Sequence, residues 1–93
     1  MSFSCDSAVQ RAKRDLAQRL GVAESDIQLA STSEEDFPNS SLGAPIEDEM
    51  SAQMISSGWK INLKAGEKNY EYRADKYQLR LREFNGTNYI IES

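Results

Sequence analysis

Trp59-Lys60-Ile61-Asn62-Leu63-Lys64-Ala65-Gly66-Glu67-Lys68-Asn69-Tyr70-Glu71-Tyr72-Arg73 decides the fold. Trp59, Ile61 and Leu63 alternate with Lys60, Asn62 and Lys64, as in a strand with one buried face. Ala65-Gly66-Glu67 supplies a hairpin loop. Tyr70 and Tyr72 then alternate with Glu71 and Arg73. Two strands joined by a tight turn therefore form the centre of a meander.

Downstream the pattern continues. Asp75-Lys76 turns the chain, and Leu79 and Leu81 alternate with Gln78, Arg80 and Arg82. Asn85-Gly86 is a strong type I′ hairpin signal, leading into Asn88-Tyr89-Ile90-Ile91. Upstream, Val9, Ala12, Leu16 and Leu20 recur at helical spacing, which predicts a helix over 7–20. Ser7 can cap it, with Gln10 completing a capping-box pattern, and Gly21 suits its left-handed end. Ile27 and Leu29 alternate as a short strand over 27–31. The expectation is an α+β domain: an N-terminal helix packed on an antiparallel β-meander of about four to five strands. A length of 93 residues fits a single domain, 1–93.

Periodicity is lost from Thr32 to Pro45, which predicts a long acidic loop over 32–50. Residues 45–57 read either as a short helix or turn, with Ile46, Met50 and Met54 at helical spacing, or as a strand over Gln53 to Ile55. Residues 1–6 are expected to fray, and 83–93 to form a C-terminal hairpin extension.

Composition narrows the chemistry. There is no histidine and one cysteine, Cys5. The commonest general base and the usual zinc ligand sets are therefore missing, and no internal disulfide can form. No metal or other cofactor is expected. Ser40 and Ser41 have no base beside them in sequence to activate a nucleophile. Gly43 stands alone and reads as a turn residue rather than part of a phosphate loop. No apolar run could span a membrane, and no signal-peptide core is present, so the expected setting is cytoplasmic.

The net charge of −4 is unevenly placed: residues 23–49 hold eight acids and no base. A dominant basic face, which nucleic-acid binding needs, is absent. The acidic stretch fits either a solvated loop or a docking surface for a basic protein partner. The candidate partner-binding residues are Phe37 and Leu42 with Glu34, Glu35, Asp36, Glu47 and Asp48. Phe37 and Leu42 would anchor a partner if they project outward, or line the core if they do not. Trp59 is in phase with Ile61 and Leu63 and is expected in the core. Arg73 and Asp75 would pair with each other or anchor the loop.

The order Leu20-Gly21-Val22, Leu42-Gly43-Ala44-Pro45, Gly58-Trp59, Ala65-Gly66 and Tyr70-Glu71-Tyr72-Arg73-Ala74-Asp75 resembles small uncharacterised bacterial proteins, common in cyanobacteria and mostly exported. The resemblance covers about 7–82. It implies the fold and names no activity. The resemblance implies, for those proteins, an L-G-C-P loop stapled by cysteines. Here Ala44 replaces that cysteine and Phe37 the usual tryptophan, so the staple is absent, in keeping with a reducing compartment.

The reading is a non-enzymatic protein-interaction module acting through the acidic loop 34–50. Alternatives are a protease inhibitor using the same loop, or a small accessory subunit. A free sheet edge could also support an edge-strand dimer.

Overall fold

The computed structural model describes residues 3–39, 41–46, 49–50 and 55–92. Helix α1 runs Cys5–Leu20, followed by a 3-10 turn at Glu24–Asp26. Five strands follow: β1 Ile27–Phe37, β2 Ser56–Ala65, β3 Lys68–Ala74, β4 Leu79–Phe84 and β5 Thr87–Glu92. They form one antiparallel sheet in the order β1-β2-β3-β4-β5, the expected meander with α1 packed on one face.

The helix starts one turn earlier than expected. Ser4 rather than Ser7 is the N-cap; Ser7 completes a reciprocal capping box with it. The Phe3 N–H also donates to the Lys76 carbonyl, 2.8 Å. Residues 3–6 are therefore tied down, not frayed; 1 and 2 lie outside the described residues. Gly21, at φ 68°, ends the helix in the left-handed conformation.

Ala8, Val9, Ala12, Leu16 and Ala17 of α1 are buried against Ile61, Leu63, Tyr72, Ala74, Leu79 and Leu81 of the sheet. Each large aliphatic side chain so buried contributes about 1.5–3 kcal/mol. The alanines, having only a methyl group, let the helix lie close to the strands. One polar link crosses this layer. The Tyr72 hydroxyl donates to Asp15 Oδ2 (2.7 Å), which also accepts from Arg19 Nε (2.8 Å). Burial, with the Asp15 carboxylate as acceptor, pushes the Tyr72 hydroxyl far above its usual range. Arg19 in turn lies over the Tyr89 ring, 4.5 Å from its centroid.

The turn signals hold. Asn85 and Gly86 both take positive φ, as a type I′ turn requires. The hairpin over 83–92 is part of the sheet, since Tyr89 and Ile91 pack against the core.

One boundary differs substantially. β1 continues through Phe37, so Thr32 to Phe37 are strand rather than loop. Glu34 pairs with Trp59, Asp36 with Ser57 and Phe37 with Ser56. Strand propensity is weak and context-dependent, and here a ready partner strand outweighs it. β2 likewise begins at Ser56, before the alternation starts. At Gly58 a Cβ would overlap the Ala74 carbonyl, so glycine there lets the start of β2 lie close to the end of β3. Of the ambiguous segment 45–57, residues 47, 48 and 51–54 lie outside the described residues. Within it, the Glu49 N–H reaches the Ile46 carbonyl, 3.3 Å.

Candidate functional site

Within the segment after Phe37, Ser41, Leu42 and Ala44 are buried rather than held in an exposed loop. Tyr72, Ala74, Leu79 and Leu81 face α1, so Arg73 and Arg80, between them in sequence, face the other side of the sheet. The chain crosses that side as a strap. Three of its carbonyls are held by three successive strands. Arg73 Nη1 on β3 donates to Leu42 (2.9 Å), Arg80 Nη1 on β4 to Ala44 (3.1 Å), and Asn88 Nδ2 on β5 to Pro45 (2.8 Å). Arg80 also forms a forked ion pair with Glu49 (Nη1 to Oε1, 2.6 Å). That pair holds the Glu49 carboxyl below its usual range.

The strap's own sequence shapes it. Asn39 Oδ1 accepts from the Ser41 N–H (3.1 Å), the Ser41 hydroxyl (2.6 Å) and the Gly43 N–H (3.3 Å). Leu42 and Gly43 both take positive φ, 59° and 68°. Besides that conformation, Gly43 leaves room for Arg73: a Cβ would overlap its guanidinium.

This arrangement corrects one part of the sequence reading. Phe37 and Leu42, 3% and 0% exposed, are interior residues and cannot act as outward anchors. The Arg73 guanidinium sits 5.5 Å from the Phe37 ring centroid. Arg73 is the loop anchor that the sequence suggested. Asp75 instead caps the β3–β4 turn, accepting from the Tyr77 and Gln78 N–H groups. Glu47 and Asp48 lie outside the described residues.

Glu34, Glu35 and Asp36 come together elsewhere, at the end of β1. They line an open cleft of about 480 Å³ with Ser57, Gly58, Trp59 and Lys76. A second hollow of about 460 Å³, lined by Ile55 and Tyr77 among others, shares Ser57 and Lys76 with it. The two make one surface with an acidic side and an apolar side. Ile55 and Tyr77 are 71% and 74% exposed and stand side by side in the second hollow. Trp59 is half-buried, packing on the core while walling the cleft.

The acids here are poorly neutralised. Among the described residues no cation lies in ion-pair range of Glu34, Glu35 or Asp36, whereas Asp15, Glu49, Glu71 and Glu92 each hold an arginine. The Ser57 hydroxyl donates to Asp36 (2.8 Å). Among the described residues no cluster of three potential ligands could hold a metal ion. No described helix is long and apolar enough to cross a membrane.

The sequence reading thus found the acids of this surface and missed its apolar members. Tyr77, an aromatic in a turn after Asp75-Lys76, was the available signal.

No curated protein and no solved structure matches the chain. A family model described as a domain of unknown function, DUF8738, matches residues 9–82. That span takes in the strap, the arginines that hold it and the acidic cleft, and leaves out β5. The chain belongs to the DUF8738 family.

Proposed function

We propose that this domain is a non-enzymatic protein-binding module. Its contact surface is the acidic end of β1 with the adjoining Trp59, Ile55 and Tyr77, and its partner presents basic side chains. The observation that carries this reading is the juxtaposition of three carboxylates, none in an ion pair among the described residues, with the exposed Ile55 and Tyr77 of the adjoining hollow. An apolar centre with a charged border is how protein contacts are commonly built. Unpaired charge at the border steers a complementary partner and selects against like-charged ones.

The test is affinity capture from cells with wild-type bait beside an E34Q/E35Q/D36Q bait, each checked for an unchanged melting temperature. Support is a defined set of proteins held by the wild type and lost by the variant. Identical captures by both baits would remove the acidic surface from the function.

A further inference from the structure

The partner's conformation can be argued from the edge on which the acids stand. β1 ends the sheet, so its outer side carries backbone N–H and C=O groups that β2 does not use. From Ser31, opposite Asn62, to Phe37, opposite Ser56, the register with β2 runs unbroken. The irregularity lies just before, between Leu29 and Ser31. Residues 31–37 are thus a regular seven-residue template, and 27–30 are not.

Two occupants fit an open edge: a second copy of this chain, or a segment of another protein. Self-pairing is opposed by charge. An antiparallel pair of β1 strands centred on this template sets Glu34 opposite its own copy. It also brings both sets of Glu34, Glu35 and Asp36 into one short ladder. Like charges directly opposite are destabilising. Shifting the centre towards Leu29 runs into the irregularity, which bends and twists a strand away from regular pairing. The acids therefore guard the edge against self-association while favouring a cationic strand. Glu34 and Asp36, two residues apart, share the face of Trp59 and Ser57, their partners on β2. A strand with cations at alternate positions would match them.

We infer that β1 accepts a sixth strand: an extended basic peptide segment that pairs with residues 31–37 and sets cationic side chains beside Glu34 and Asp36. This rests on the acidic surface being the binding surface and adds how the partner is held. Backbone hydrogen bonds supply the pairing, and the carboxylates select the sequence.

The probe is a capped heptapeptide alternating lysine and valine. Its controls are the glutamate–valine counterpart and a lysine–valine copy N-methylated at alternate amides, which keeps charge but cannot pair along one edge. Trp59, the sole tryptophan, reports binding by its emission, and amide hydrogen exchange reports on residues 31–37. The expected result is saturable binding of the basic peptide with slowed exchange over 31–37. Affinity should fall roughly tenfold or more for the N-methylated copy and for E34Q/D36Q. Equal binding of the N-methylated copy, or binding without slowed exchange, overturns strand addition yet leaves the acidic surface standing. Equal binding of the glutamate peptide, or no binding of the basic one, overturns it as well. So does a concentration-dependent dimer of the free protein that E34Q/D36Q strengthens and that shows slowed exchange over the same residues.

Discussion

The Tyr72 hydroxyl reaches across the core to the Asp15 carboxylate, 2.7 Å away, and joins helix to sheet through the one buried polar bond described between them. Y72F should leave a carboxylate still held by Arg19 and cost about 1–2 kcal/mol. D15A should cost more, about 2–3 kcal/mol, because it strands a buried hydroxyl and also releases Arg19. Urea unfolding of both variants and the double mutant measures the coupling.

The same bond sets an alkaline limit. Folding raises the Tyr72 pKa above its ordinary value of 10.0. The unfolded chain therefore releases this proton first. Stability from this group is complete below about pH 10 and falls as pH rises beyond it, by up to ~1.4 kcal/mol per pH unit. Y72F should flatten that slope in urea titrations between pH 9 and 11, while the other titrating groups contribute equally to both proteins.

At the acidic end the strap should respond instead. Arg80 holds the Glu49 pKa below 4.5, so this pair contributes stability above that value and loses it as pH falls through the lowered one. The protection of the Gly43 and Ala44 amides, measured against their intrinsic exchange rate at each pH, should fall as acidification protonates Glu49, before the sheet unfolds. E49Q should show the lowered protection already at neutral pH. It should also cost about 2 kcal/mol, since Arg80 is 4% exposed and, among the described residues, keeps only neutral partners.

Gly43 and Gly66 separate two reasons for a glycine. Both take positive φ, but only Gly43 has a neighbour where a Cβ would stand. Gly66→Ala should cost about 1 kcal/mol, the penalty of the left-handed conformation. Gly43→Ala should cost distinctly more and speed exchange along the strap, because Arg73 must move. Equal costs would mean the strap is held loosely there.

Core and contact residues should also separate. F37A and L42A each remove a buried side chain and should destabilise by roughly 2–5 kcal/mol. E34Q, E35Q and D36Q should each stay within about 0.5 kcal/mol of wild type. Thermal unfolding of the five variants makes the comparison.

Much of this architecture was legible because it depends on side-chain periodicity. The alternation from Trp59 to Leu81, the Asn85-Gly86 turn and the Val9–Leu16 stripe each report which side chains meet the core. The second half of β1 was not legible. Ser31 to Asp36 are polar on both faces, and only their pairing with residues 57–62 makes them a strand. The strap was hidden for a different reason. Arg73, Arg80 and Asn88 bind backbone carbonyls, and carbonyls leave no mark in a sequence. The acids of the proposed contact surface stood out as a charge run. Ile55, Trp59 and Tyr77 did not, because an apolar residue reads the same in sequence whether it is buried or exposed.

The most direct measurement of the central claim is titration of the basic heptapeptide against Trp59 emission in wild type and in E34Q/E35Q/D36Q, at two salt concentrations. The expected result is a saturable change in the wild type, weakened by salt and lost in the variant, with both proteins equally stable. Binding that is unchanged in the variant, or no binding in the wild type, would contradict an acidic protein-binding surface at the end of β1.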